Sequence, residues 1–324
     1  MKIRNRGFII NPEDLNERLI YRLADSGINE LGIHSGGGRR AFELVQKTLT
    51  WHKTDRVREL FALAESLGIC VEYDEHALRS LVPADLFDAH PDWFRMDENG
   101  VRRPDFNICA SNREALSYLS GSAACFSLAL KTPSHRYAYW VDDVLDSCCH
   151  CPECRALSPA DQALTLTNAI LRGIKRVDPF AITGFLAYNE AMDVPQNVRP
   201  EEGVYLEYAP INRDSERPID DPDCVENRRE TEKLPALLAF FGTKNARVLE
   251  YWMDNSRFSN WTRPPKAFHL NGEVMRRDAV YYSGLGFEDM TTFGCYLGED
   301  YEALYGDAPI EEYGKILNGA CASS

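Results

Sequence analysis

Short β-rich runs alternate with amphipathic helical segments along the 324 residues of the chain, and this alternation predicts an α/β protein with the (β/α)8 TIM-barrel fold. Eight runs have strand character, which is the number that closes such a barrel. No linker rich in proline, glycine or serine and no low-complexity tract divides the chain. The sequence therefore predicts a single domain over residues 1–324.

Hydrophobic periodicity and end signals place the individual elements. The strand candidates are residues 7–10, 30–34, 69–73, 137–141, 182–187, 204–208, 246–252 and 290–296. The clearest helical segments between them are residues 14–25, 54–67, 159–176 and 226–241. The third of these helices has a well-defined start, because Ser158 can cap it, Pro159 suits its first turn and Asp161 favours the positive end of its dipole.

Composition restricts the partners of the protein. The chain has 50 acidic and 36 basic residues, a formal net charge of −14, and no basic patch. Nucleic acids and anionic membranes bind through basic patches, so we expect neither as a partner. Small neutral or polar substrates fit this composition, and the sequence leaves the oligomeric state open.

Targeting signals are weak. The basic N-terminal segment begins as an export signal does, but its apolar run ends at Ile10. The longest weakly polar stretches, residues 123–130 and 234–242, are far shorter than the ~20 residues that cross a bilayer. The ten cysteines are crowded, unlike a secreted disulfide framework. We expect a cytoplasmic protein, the alternative being a secreted or periplasmic one whose signal has been removed.

Two adjacent acids, Asp142 and Asp143, follow the fourth strand candidate. Side chains at the C-terminal ends of barrel strands form the catalytic face of this fold. Neighbouring carboxylates also shift each other's pKa, because both cannot ionise cheaply at short distance. This junction is therefore the first candidate site, the alternative being a pair of solvated loop residues. The long segments 76–112 and 210–227 are further candidates, since loops of this length are usually functional.

An ordered set of motifs covers residues 69–252. It comprises Glu75-His-Ala-Leu-Arg-Ser-Leu-Val-Pro83, His90-Pro-Asp-Trp-Phe94, Asn99-Gly-Val-Arg-Arg103, Asn107-Ile-Cys-Ala-Ser-Asn112, Asp143, Cys149-His-Cys-Pro-Glu-Cys154, Leu186-Ala-Tyr188, Ala209-Pro-Ile-Asn-Arg213, Cys224, Asn227 and Glu250-Tyr-Trp252. This set resembles the bacterial family catalogued as domain of unknown function 4838, which is similar to α-glucuronidases and hexosaminidases and includes endo-β-N-acetylglucosaminidases. The resemblance implies a TIM-barrel glycoside hydrolase. The family more often has Asn-Asp-Gly where this chain has Asp142-Asp143-Val144.

Glycoside cleavage needs an acid that protonates the leaving oxygen and a group, typically a second carboxylate, that stabilises the cationic sugar. We expect Asp143 to be the acid, since it aligns with the family aspartate. The resemblance to hexosaminidases implies a variant in which the substrate's acetamido group is the nucleophile and Asp142 orients it. Strand alternation places these two on opposite faces unless a bulge or turn intervenes. Glu250 and Glu207 are further catalytic candidates, with structural salt bridges as the alternative.

Aromatic, histidine and arginine side chains supply the candidate substrate contacts. The substrate-binding candidates are His76, Trp93, Arg103, Tyr188, Tyr208, Arg213, Tyr251 and Trp252. Aromatic faces stack on sugar rings, although many aromatics only fill the core. The loop arginines can pair with the carboxylate of a uronate or sialic acid, and surface salt bridges are the alternative.

The cysteine loop has the spacing of metal ligands. Cys149, Cys151 and Cys154 can bind a structural zinc ion, with a fourth ligand from Cys148, His150 or Cys224, and loop packing by reduced thiols is the alternative. The reaction itself requires no cofactor. The run from Ser35 to Gly38 lacks the lysine and spacing of a phosphate-binding loop and predicts a close-approach turn at the barrel mouth.

The function predicted from the sequence is glycoside hydrolysis of a β-linked N-acetylhexosamine in an N-glycan-type or related oligosaccharide. The alternatives are an α-glucuronidase-like hydrolase, which the loop arginines would favour, and a carbohydrate-binding barrel without catalysis. A metallohydrolase barrel would carry His-x-His on its first strand, where this chain has Gly7-Phe-Ile-Ile-Asn11. Linkage, endo or exo action and retention or inversion stay open.

Overall fold

Eight parallel strands close into a barrel in the chain order β1 to β8, which confirms the predicted (β/α)8 fold. The computed structural model describes residues 3–319. The strands are β1 Asn5–Ile10, β2 Glu30–Ile33, β3 Cys70–Glu75, β4 Arg136–Tyr139, β5 Ile182–Ala187, β6 Val204–Tyr208, β7 Arg247–Glu250 and β8 Asp289–Phe293. Most strand positions are buried, as expected for a parallel sheet covered by helices.

The end of β4 differs from the prediction. The strand ends at Tyr139, two residues before the predicted end, so Asp142 and Asp143 lie in the loop that follows it. The apolar pair Trp140 and Val141 extended the predicted strand, because a run of apolar residues does not show where the chain leaves the sheet. Side-chain alternation along a strand therefore places no restriction on the two acids.

Twelve α-helices connect and surround the strands within the described residues. They are α1 Glu17–Asp25, α2 Ala41–Trp51, α3 Asp55–Ser66, α4 Leu78–Leu81, α5 Arg113–Ala129, α6 Pro159–Ile174, α7 Val225–Thr231, α8 Leu234–Phe241, α9 Asn255–Phe258, α10 Gly272–Gly284, α11 Glu299–Tyr305 and α12 Ile310–Gly319. The single helix predicted over residues 226–241 is wrong. Pro235 ends that continuity, because it lacks an N–H and its ring would clash with the carbonyl of Thr231.

Helix α6 begins directly after the cysteine loop and has the predicted start. Ser158 Oγ accepts the backbone N–H of Asp161 at 3.0 Å, and Asp161 accepts the N–H of Ser158 at 3.2 Å, which completes a capping box. At Gly173 a Cβ atom would lie 1.9 Å from the carbonyl oxygen of Ser120 on α5. Glycine therefore allows α5 and α6 to pack closely near the C-terminal end of α6.

The contacts within the chain define two compact units. The first unit comprises Met1–His34, Trp51–Glu72 and Glu207–Ser324, and the second comprises Ser35–Thr50 and Tyr73–Leu206. Strands β1, β2, β7 and β8 belong to the first unit, whereas β4 and β5 belong to the second. Among residues 3–319, no helix combines the length and apolar character needed to span a membrane.

Candidate active site

Asp142 is held in the loop after β4 by a reciprocal pair of hydrogen bonds. The backbone N–H of Asn107 donates to Asp142 Oδ2 at 2.6 Å, and the N–H of Asp142 donates to Asn107 Oδ1 at 3.1 Å. Asp142 is only 5% exposed, and its Oδ1 accepts no hydrogen bond within the described part of the chain. Burial raises its pKa to about 7, although the hydrogen bond from Asn107 opposes this shift. The second carboxylate oxygen is thus buried and available for a ligand.

Asn107 links two loops of the second unit. Its φ is 38°, a left-handed conformation that asparagine adopts more easily than most residues. Its Nδ2 donates to Ser147 Oγ at 2.8 Å, so the segment before α5 is bonded to the loop that carries Asp142. Asn107 was not among the predicted site residues, because a loop asparagine has no sequence signal for a contact 35 positions away.

Asp143 is half-buried and accepts a hydrogen bond from Tyr188. The Tyr188 hydroxyl donates to Asp143 Oδ1 at 2.8 Å. On the other side, a Cβ atom at Gly37 would lie 2.5 Å from Asp143 Oδ2. The backbone of the Ser35–Gly38 turn therefore comes close to the carboxylate, and a side chain at position 37 would displace the Asp143 carboxylate or the turn. The hydrogen bond from Tyr188 therefore orients the Asp143 carboxylate.

A pocket with an empty volume of about 600 Å³ lies beside Asp142, and part of this space is open to solvent. Its lining combines polar side chains, among them His76, Asp142 and Tyr188, with apolar ones such as Leu166 and Leu186. Small-molecule sites commonly combine apolar surfaces with a few polar groups in this way. A sugar presents both hydroxyl and C–H surfaces, so this lining is compatible with one.

His76 is fixed in orientation at this pocket. Its Nδ1 donates to the carbonyl oxygen of Val141 at 2.6 Å, and its ring contacts that of Trp140 at a centroid distance of 5.1 Å. With Nδ1 as the donor, Nε2 of a neutral ring is an acceptor. The predicted residues His76, Asp142, Asp143 and Tyr188 therefore belong to one set of loops in the second unit.

Glu75 is a fully buried acid that the sequence reasoning did not propose as a site residue. It ends β3, beside Tyr139 of β4 in the strand register. Ser35 donates to its Oε2 through the hydroxyl at 2.5 Å and the backbone N–H at 3.1 Å, whereas its Oε1 has no hydrogen-bond partner among the described residues. Burial raises its pKa to about 8, although the Ser35 hydrogen bonds oppose this. Its position at a strand end was the available signal.

Glu250 and Arg213 form a buried ionic cluster in the first unit. Arg213 Nη1 lies 2.7 Å from Glu250 Oε1 and 2.6 Å from Asp278 Oδ2, and the Tyr282 hydroxyl donates to Glu250 Oε1 at 2.6 Å. The side chains of Arg213 and Glu250 are 1% and 0% exposed. Burial raises the pKa of Glu250, although Arg213 opposes this. Trp252 joins the cluster through Nε1, which donates to Asp278 Oδ2 at 2.9 Å.

Glu207 lies beside Arg247, its partner in the register between β6 and β7, with 3.6 Å between Glu207 Oε1 and Arg247 Nη1. The same guanidinium contacts Glu72 at 2.8 Å and Asp289 at 3.3 Å. Arg247 also contacts Glu30. Glu30 and Asp289 start their strands, and the bottom of a barrel commonly serves stability. The geometry of Glu207 is that of a buried salt bridge, the alternative stated above.

The remaining predicted substrate contacts are distributed between the two units. Tyr208 and Tyr251 are buried in the first unit. Trp93 is buried in the second unit, where its ring stacks on His90 at 4.0 Å. Arg103 Nε lies 2.8 Å from Asp97 Oδ2, so its guanidinium is already paired with a carboxylate. Their roles in substrate binding stay predictions.

The cysteine loop gains a distant partner. Cys149, Cys151 and Cys154 converge with Cys109, which was not among the proposed fourth ligands. Cys224 lies in the first unit, where its thiol is 3.6 Å from Glu226 Oε2. Nothing in the spacing 149–154 could indicate a ligand 40 residues upstream.

Comparisons with known proteins agree with this fold. A family model described as "Domain of unknown function (DUF4838)" matches residues 36–253. No protein with a curated function matches the chain significantly. Similar solved structures include a β-galactosidase from Rahnella sp. R3 with a TM-score of 0.57 and 13% identity, covering 99% of this chain and 56% of that one. The O-GlcNAc hydrolase of Thermobaculum terrenum has a TM-score of 0.53 and 12% identity, covering 98% and 59%.

A third similar structure is an endoglucanase from Bacteroides salanitronis, with a TM-score of 0.52, 11% identity and coverage of 95% and 86%. The chain spans somewhat more than half the length of the first two proteins. At these identities the similarity establishes a shared barrel fold.

Proposed function

We propose that this chain, which belongs to the family described as domain of unknown function (DUF4838), is a glycoside hydrolase that cleaves a β-linked N-acetylhexosamine in an N-glycan-type or related oligosaccharide. The observation that carries this proposal is the state of Asp142 after β4. Its Oδ1 is buried beside a pocket and accepts no hydrogen bond from the described residues. An acceptor left unpaired in a buried position is unfavourable, so a ligand N–H is the natural partner.

In the proposed reaction, Asp142 accepts the N–H of the substrate's 2-acetamido group at Oδ1. This contact turns the acetamido oxygen toward C1 of the sugar. The C1–oxygen bond to the leaving group breaks as the acetamido oxygen forms its bond to C1. Asp143 gives its proton to the leaving oxygen, and Tyr188 keeps the other oxygen of that carboxylate in place. Water then opens the cyclic intermediate, with Asp143 taking the proton back.

The comparisons give this proposal its support at the level of fold. The Thermobaculum protein is named an O-GlcNAc hydrolase, and the other two are named as a β-galactosidase and an endoglucanase. All three names denote enzymes that cleave glycosidic bonds. One barrel serves many chemistries, so the acetamido specificity proposed here depends on the pair of acids rather than on the fold.

The α-glucuronidase-like alternative is less favoured. It needs a free arginine for the uronate carboxylate, but Arg213 is paired with Glu250 and Asp278, and Arg103 with Asp97. A barrel that only binds carbohydrate would have no need of an acid with the raised pKa of Asp142.

The test is a comparison of p-nitrophenyl β-N-acetylglucosaminide, β-glucoside and β-glucuronide, with an N-glycan-type oligosaccharide for a strict endo enzyme. We expect the acetamido substrate to react at least ~10²-fold faster than the glucoside, because only it carries the internal nucleophile. Asp142→Asn should lower its kcat/KM by about 10²–10³-fold. Asp146→Asn, the same change at an exposed position of the same loop, should retain wild-type activity. Preference for the glucuronide, or activity that is independent of the acetamido group, would overturn the proposal.

A further inference from the structure

Four buried cysteines of the second unit come together although they lie far apart in the sequence. Cys109 precedes α5, and Cys149, Cys151 and Cys154 follow β4. Their four Sγ atoms all lie within 4.8 Å of one another, and each residue is at most 2% exposed. No described cysteine is in a disulfide, so all four are free thiols. Four thiols converging on one point have the ligand number and type of a structural zinc centre.

The sulfur positions also have the dimensions of such a centre. The Sγ of Cys109 lies 3.6 Å from that of Cys151 and 3.8 Å from that of Cys154. Zinc–thiolate bonds of about 2.3 Å in a tetrahedron give sulfur–sulfur separations of about 3.8 Å. A disulfide would instead need about 2.05 Å. We propose that Cys109, Cys149, Cys151 and Cys154 bind one zinc ion in a closed, structural site.

The surroundings of the sulfurs are suited to thiolates. The backbone N–H of Met96 donates to Cys149 Sγ at 3.3 Å, and Arg102 Nη1 lies 3.8 Å from the same sulfur. Ser111 Oγ lies 3.2 Å from Cys109 Sγ and 3.4 Å from Cys151 Sγ. Four thiolates around Zn²⁺ leave a net charge of −2, which the Arg102 guanidinium partly offsets. Hydrogen bonds and charges of this kind orient ligands and stabilise the bound metal.

The zinc site holds together the two loops that position the candidate acid. Asn107, which bonds to Asp142, stands two residues before Cys109, and Ser147, which accepts from Asn107, stands two residues before Cys149. Gln162 of α6 accepts the N–H of Cys149 at 2.9 Å and donates to its carbonyl at 3.1 Å. Four protein ligands leave no open coordination position, so the ion stabilises the loops and takes no part in bond cleavage.

The test is the metal content of the full-length protein purified without chelator. Mass spectrometry of the metals should give about one zinc per chain, since structural sites of this type hold zinc tightly. The Cys109→Ser and Cys151→Ser variants should each contain less than about a tenth of an equivalent of zinc. Cys148→Ser alters a thiol of the same loop that lies outside the cluster, and it should keep its zinc. Cys125→Ser, at an exposed thiol on α5, is a second control.

A second measurement does not depend on the folding of any variant. Titrating the wild-type protein with an organomercurial should release one zinc to a metallochromic dye, and chelation should lower the melting temperature. The proposal is overturned by less than about a tenth of an equivalent of zinc in wild type, by stoichiometric iron in its place, or by equal metal loss in Cys148→Ser and Cys109→Ser. None of these measurements uses glycoside hydrolysis, so the zinc site and the proposed activity succeed or fail separately.

Discussion

The pKa of Asp142 makes the stability of the protein depend on pH in a defined direction. Burial raises this pKa from 3.8 to about 7. The folded protein therefore retains the proton to a higher pH than the unfolded chain does. The stability contributed by this group is fully present below the unfolded pKa and is lost as the pH rises to about 7. From pH 5 to pH 8, where this group completes its titration, the loss amounts to about two pH units, or about 2.7 kcal/mol at 1.36 kcal/mol per unit.

Asp142→Asn removes this titration while keeping the size of the side chain and an acceptor for the N–H of Asn107. We expect the unfolding free energy of the variant to fall less between pH 5 and pH 8 than that of wild type, by up to about 2.7 kcal/mol. Urea unfolding at the two pH values measures the difference. Asp146→Asn should behave as wild type, because Asp146 is exposed.

For each protein, the unfolding free energy at pH 5 is compared with that at pH 8. This difference cancels effects of the substitution that do not depend on pH, such as a changed hydrogen bond. Glu75, whose pKa is about 8, contributes in the same direction but is present in both proteins. Equal pH slopes in wild type and Asp142→Asn would refute the reasoning. They would mean that Asp142 is ionised in the fold at pH 5 and that the hydrogen bond from Asn107 outweighs burial.

Three further predictions follow from individual contacts. Asp143→Asn should lower hydrolysis of substrates with poor leaving groups by about 10²–10⁴-fold and affect activated aryl glycosides much less, and equal losses in steady-state assays would move the acid role to another residue. Arg213→Ala should lower the unfolding free energy by about 3–5 kcal/mol in urea titrations, because it leaves two buried carboxylates unpaired, and a loss below about 1 kcal/mol would contradict the cluster. Gly37→Ala should reduce kcat with little change in melting temperature, because the new Cβ meets the carboxylate of Asp143, and unchanged kcat would mean that the turn can move away.

The barrel could be predicted because its signal is local and repeated. Each strand and each helix carries its own hydrophobic period, and the predicted bounds of β5 and β6 coincide with the observed Ile182–Ala187 and Val204–Tyr208. The errors occur where the residue pattern does not show that the backbone leaves a helix or a strand. The segment 226–241 was predicted as one helix although Pro235 interrupts it, and β4 ends before two further apolar residues, Trp140 and Val141.

The candidate site could be predicted only in part. Asp142 and Asp143 were found because two adjacent acids directly follow a run of strand character. Asn107, which holds Asp142, is not visible as its partner, because the contact spans 35 positions, and Cys109 likewise joins Cys154 over 45 positions. The opposite problem concerns Glu250 and Glu207. The sequence around an acid in a strand does not show whether its side chain faces a ligand or an arginine. Only the structure shows that Arg213 lies beside Glu250 and Arg247 beside Glu207.

Contacts within the loops of the second unit hold Asp142 in a buried position, although burial makes its ionisation unfavourable. Asp142 would be more stable facing solvent, so its position must be imposed by neighbouring contacts. Asn107 imposes it through two hydrogen bonds, and Asn107 is itself held by Ser147. Both residues stand two positions from a cysteine of the cluster, where a bound ion would restrict them further. We therefore expect the contacts of the cysteine loops to keep the Asp142 carboxylate buried, with Oδ1 left for the substrate N–H that the proposed function requires.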